Sequence, residues 1–115
     1  MMTTKMQQVN ILGTTYVLKE QTVEENPALL SVDGYCDMTI KEICVRREHT
    51  GTAGDKEWLK KSTIRHEIIH AFLAESGLDV CSCCADSSAT NEEMVDWFAL
   101  QGPRIHRAWE AVGAL

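Results

Sequence analysis

Residues 55–77 read Asp55-Lys56-Glu57-Trp58-Leu59-Lys60-Lys61-Ser62-Thr63-Ile64-Arg65-His66-Glu67-Ile68-Ile69-His70-Ala71-Phe72-Leu73-Ala74-Glu75-Ser76-Gly77. This stretch predicts one helix from Asp55 to about Ser76. Asp55 suits the N-cap, and Gly77 suits the position just past the last turn, where a left-handed backbone ends a helix. Leu59, Thr63, His66, His70 and Leu73 follow one face, and Ile64, Ile68, Ala71 and Phe72 an adjacent apolar face. Burying the apolar face on a sheet leaves the histidines pointing into a cleft. His66 and His70 are i and i+4, one above the other. Two imidazoles so placed can bind one zinc ion, with Glu67 beside the metal as a base for its water.

The elements before this helix read as strands. Val9 to Leu18 alternates around Gly13 and predicts a β-hairpin. Lys19 to Asp33 is mixed and acidic and predicts a loop, with a short turn at Pro27-Ala28-Leu29-Leu30. Gly34 to Ile40 and Glu42 to Val45 predict two more short strands. Arg46 to Gly54 is polar and predicts a loop. Leu78 to Ala89 is a small, cysteine-rich loop. Thr90-Asn91-Glu92-Glu93 then has the form of a capping box opening a helix to about Gln101. Gly102-Pro103 should break that helix, with Pro103 starting a last one through Val112. The expectation is a single α+β domain over 1–115, a short mixed sheet packed on the histidine-bearing helix, followed by two further helices.

Composition bounds the function. The chain has 115 residues, 44% hydrophobic and 24% charged, enough for one small core. A net charge of −6 argues against a nucleic-acid partner. The short basic run Pro103-Arg104-Ile105-His106-Arg107 has only two arginines, too few to reverse that. No apolar run reaches the roughly 20 residues of a membrane span, and the start MMTTKMQQVN has no apolar signal core. An intracellular, cytoplasmic protein without membrane partners is expected. The five cysteines are odd in number and favour reduced thiols over a disulfide framework. Cys81 and Cys84 form a CxxC pair with Cys83 inside it, but no second such pair exists to complete a structural zinc site.

A catalytic zinc takes three protein ligands and keeps a fourth position open. Beyond His66 and His70 the candidates are Glu92, Glu93, Asp96, His106 and the cysteine cluster. Glu93, as the fourth residue of the capping box, is drawn back toward the Thr90 N–H. Glu92 carries no such demand and is preferred. Asp96, one turn on, suits a hydrogen bond to the free ring N–H of a metal-bound histidine. Tyr35, His49 and His106 are candidate oxyanion donors. Ile43-Cys44-Val45 is the candidate edge strand for pairing with an extended peptide.

Arg65-His66-Glu67-Ile68-Ile69-His70-Ala71-Phe72, followed by Glu92-Glu93-Met94-Val95-Asp96-Trp97-Phe98-Ala99, resembles the ImmA/IrrE-type metallopeptidases. Small phage and prophage members share a similar arrangement, including Gly34-Tyr35-Cys36-Asp37 and Gln101-Gly102-Pro103-Arg104-Ile105. In the family pattern the ligand glutamate stands four residues before an Asn that precedes Phe-Ala by two. The same count lands on Glu92, with Asp96 in place of the Asn and Val95 in place of an Ala. The resemblance implies a zincin-like fold and zinc-dependent hydrolysis of a protein substrate, often a repressor in mobile genetic elements. The alternative is a catalytically silent zinc-binding module that binds a regulator without cutting it. The presence of Glu67, which metal binding does not need, favours the enzyme.

Overall fold

A computed structural model describes residues 4–48, 54–78 and 92–115. Four strands make one sheet in the order β1-β2-β4-β3: β1 (Lys5–Ile11), β2 (Thr14–Gln21), β3 (Gly34–Asp37) and β4 (Glu42–Arg46). β1 and β2 are the expected antiparallel hairpin, with Ile11 opposite Thr14. Leu12 and Gly13 turn the chain at φ 52° and 92°, the double left-handed geometry that matches strand twist in a two-residue hairpin. The Gly13 N–H donates to Asn10 Oδ1 at 2.7 Å and holds the turn.

β2 continues to Gln21, past the expected start of a loop at Lys19. Lys19, Glu20 and Gln21 pair in parallel with Cys44, Val45 and Arg46 of β4. The polar residues are accommodated because each has a partner. Lys19 meets Glu42 at 3.0 Å, and Glu20, though buried, receives Lys60 at 3.2 Å and Lys5 at 3.6 Å. The expected turn is present as a 3-10 turn over Pro27–Leu30, capped by the Asn26 side chain on the Ala28 N–H. β3 then pairs antiparallel with β4 on the outer edge. The sheet is mixed, as expected.

Helix α1 (Lys56–Ser76) has the expected bounds. Asp55 accepts from the Glu57 and Trp58 N–H groups, and Gly77 at φ 80° returns its N–H to Ala74 O. Ile64, Ile68, Ala71 and Phe72 are buried against Val9, Ile11, Tyr16, Leu18, Ile43 and Val45 of the sheet. Ile64, Ile68 and Phe72 each contribute about 1.5–3 kcal/mol through burial. α1 is also tied at both ends. Near its start Lys60 reaches Glu20. Near its end Glu75 accepts from Thr14 Oγ1 (2.9 Å), Tyr16 OH (2.8 Å) and Lys41 Nζ (2.7 Å).

Helix α2 (Glu92–Ala111) corrects one expectation. It runs unbroken through Gly102-Pro103, where two helices were expected. Pro103 cannot donate to the carbonyl one turn back and ordinarily weakens a helix interior. Here Ile105, Ala108 and Val112 follow at helical spacing and are buried in the same core, so tertiary packing outweighs the local break. The two helices run antiparallel on one face of the sheet. Trp97 Nε1 donates to Ser76 Oγ at 3.1 Å, and Arg65 Nη1 donates to Ala114 O at 2.8 Å. The result is a small two-layer α+β domain. No helix among the described residues is long and apolar enough to cross a membrane.

Candidate metal centre

The rotation of α1 decides what each residue of the motif faces. Each residue turns the helix by about 100°. With Ile64, Ile68 and Phe72 in the core, His66 and His70 are carried to the exposed side. Glu67 falls between them and the core and is 7% exposed. His66 Nε2 and His70 Nε2 lie 3.2 Å apart, their rings 4.8 Å between centroids and inclined at 67°. Two nitrogens about 2.05 Å from one tetrahedral zinc stand roughly 3.3 Å apart. The separation matches that of two imidazoles on one tetrahedral ion, and the same two nitrogens are within hydrogen-bond distance of each other.

Burial pushes the Glu67 carboxyl above its ordinary range, an effect opposed by His66 and His70. A cleft of about 270 Å³ opens beside it, lined by Asp33, Gly34, Ser62, Thr63, His66 and Glu67. Gly34 makes this cleft possible. A Cβ there would stand 2.9 Å from Thr63 Cγ2, 3.0 Å from Cys44 O and 3.1 Å from Val45 Cγ1. Only glycine lets β3 approach α1 so closely. Two residues on, the half-buried Cys36 thiol is pushed up to about 11, first by burial and then by the charge of Glu67. It is a poor nucleophile at neutral pH.

The other candidates fall as follows. Glu92 opens α2, whose start lies toward the Ser76 end of α1. The side chains of Glu92, Glu93 and Asp96 lie outside the described residues, as do Thr90, His49 and the cluster Cys81, Cys83 and Cys84. His106 is exposed on α2. Among the described residues no third His, Cys, Asp or Glu joins the histidine pair. Tyr35 is engaged elsewhere: its hydroxyl accepts from Asn26 Nδ2 at 2.8 Å and hydrogen-bonds the Cys44 thiol. Alternation along β3 puts it on the sheet face away from α1, opposite to Gly34 and Cys36.

The strand assignment also changes. Ile43-Cys44-Val45 lies on β4, paired with β2 on one side and β3 on the other, and is not an edge. The edge beside the cleft is β3. Asp33, Ser62 and Thr63 were missed as lining residues. The one signal in the sequence was Gly34 at the start of a strand, which marks a close backbone approach. The chain matches no family profile, and comparison with curated proteins and with solved structures finds no similar one.

Proposed function

We propose that this chain is a zincin-like, zinc-dependent endopeptidase, with His66, His70 and Glu92 holding the metal and Glu67 acting as general base. The observation that carries the proposal is the 3.2 Å separation of the two exposed Nε2 atoms, with a buried carboxyl on the intervening turn. A zinc ion held there would supply Lewis acidity, lowering the pKa of a water toward roughly 7 and polarising a scissile carbonyl. Glu67 takes the proton as water attacks and passes it to the leaving amine. β3 offers the outer edge of the sheet to an extended substrate, and Gly34 keeps the path beside His66 free of side chain. The substrate class suggested by the resemblance is a cytoplasmic repressor-type regulator of a phage or other mobile element.

Metal analysis tests the reading. Wild type should carry a single zinc per chain, lost in His66→Ala and in Glu92→Gln but kept in Glu93→Gln. Zinc lost in Glu93→Gln and retained in Glu92→Gln moves the third ligand to Glu93. A wild-type chain that binds no divalent metal at micromolar concentration sinks the proposal.

A further inference from the structure

A second concavity lies away from the histidine pair, where α2 meets β1. It is a groove of about 560 Å³. Val9, Leu12, Phe72 and Ala108 form an apolar floor, and Arg104 and Arg107 stand at the rim. The volume is in the range of ligand-binding pockets, which bury apolar groups and orient them with a few polar ones. Arg104 and Arg107 are both exposed and three residues apart on one helix, which sets their Cβ atoms about 5–6 Å apart. Among the described residues neither guanidinium has a carboxylate partner, although acids outnumber bases 17 to 11 in the chain. Two unpaired cations over an apolar floor, on a molecule of net charge −6, are an anomaly of position.

The geometry points to a docking groove for an acidic segment of a protein partner, an apolar side chain on the floor and flanking carboxylates on Arg104 and Arg107. Charge complementarity selects this occupant. On a molecule of net charge −6, the encounter of an acidic chain is steered toward two neighbouring arginines that have no carboxylate partner among the described residues. Arginine also suits carboxylates by its fork of donors. A groove of this volume, running along a helix and past a sheet edge, fits a stretch of peptide. The site is separate from the motif on α1 and does not depend on the function proposed for it.

The test selects a displayed library of random seven-residue peptides against the full chain. Recovered sequences should combine acidic residues with a bulky apolar one. The synthetic peptides should bind wild type and Glu67→Gln with equal affinity. Arg104→Glu/Arg107→Glu should weaken them by at least about thirtyfold, consistent with losing charged hydrogen bonds. Arg104→Lys/Arg107→Lys should restore part of the loss. Both arginines are exposed, and an unchanged melting temperature in the variants separates lost binding from lost fold. The proposal is overturned if no sequence is enriched, if the peptides bind the Glu double variant as well as wild type, or if the same arginines retain a duplex oligonucleotide in preference to the peptides.

Discussion

Replacing Glu75 by alanine should loosen the helix that carries the histidines while leaving both histidines untouched. Glu75 has a side chain only 15% exposed and accepts three hydrogen bonds. Tyr16 is fully buried, so removing its acceptor leaves a hydroxyl stranded at a cost of about 1–3 kcal/mol. The half-buried Thr14 contact adds about 0.5–1.5 kcal/mol. Lys41 is 43% exposed, so its ion pair adds only about 0–1 kcal/mol. The sum is about 3 kcal/mol, a fall of roughly 12 °C in Tm for a domain this size. Urea denaturation of wild type, Glu75→Ala, Tyr16→Phe and the double variant measures it. Because Glu75 and Tyr16 share a bond, the double variant should lose about 1 kcal/mol less than the two singles added together. The pH dependence has a definite sign. The Lys41 hydrogen bond first, and then that of Tyr16, hold the Glu75 carboxyl below its ordinary value. A depressed folded-state pKa gives stability that is full above the unfolded value of about 4.3 and is lost as pH falls through the folded one. The gap between wild type and Glu75→Ala should therefore be constant from pH 6 to 8 and narrow in acid. A cost below about 0.5 kcal/mol, or strict additivity with Tyr16→Phe, refutes the reasoning.

Gly34→Ala should destabilise by about 1–3 kcal/mol, since two of the three crowding contacts are with backbone or a buried valine, and calorimetry should show it. Ile68→Ala, at a site with no exposed surface, should cost about 2–5 kcal/mol in urea through the cavity it leaves. Glu67→Gln should keep its zinc and its melting temperature while peptide-bond hydrolysis falls about 10²–10⁴-fold; identical behaviour of the two proteins toward a bound regulator favours the non-cleaving module.

What could be read from the chain followed from local physics. Asp55 and Gly77 fix the ends of α1 because capping depends on residues in one turn. The hairpin is set by Gly13; the phase of His66 and His70 against Ile64, Ile68 and Phe72 keeps both off the core, but of the two expected in a cleft only His66 lines the one beside Glu67. Readings that needed distant partners failed. Lys19 to Gln21 looks like loop until β4 supplies its partners. Nothing in the order of the strands says that β4 is central and β3 the edge, because a parallel pair joins residues with an intervening strand between them. The halt at Pro103 was sound chemistry overridden by core contacts of Ile105 and Ala108. Nothing in the sequence sets the triple acceptor Glu75 apart from other carboxylates, because its partners Thr14, Tyr16 and Lys41 lie on distant strands and turns. The ligand role proposed for Glu92 rests on the cap logic and the resemblance alone.

The unbroken α2 has a further consequence. It is one length of backbone but two pieces in free energy. Beyond Pro103 the helix is anchored by Ile105, Ala108 and Val112, all nearly inaccessible. Before it, Phe98 and Leu100 are 47% and 65% exposed, and Trp97 is partly buried, packed against the core and donating to Ser76 Oγ. The missing N–H of Pro103 removes a rung between the pieces. In hydrogen exchange the amides after Pro103 should close with the global unfolding, while those before it open in a separate, cheaper step. Anything that binds the part of α2 before Pro103 more firmly to α1 should draw the opening of its amides toward the global unfolding.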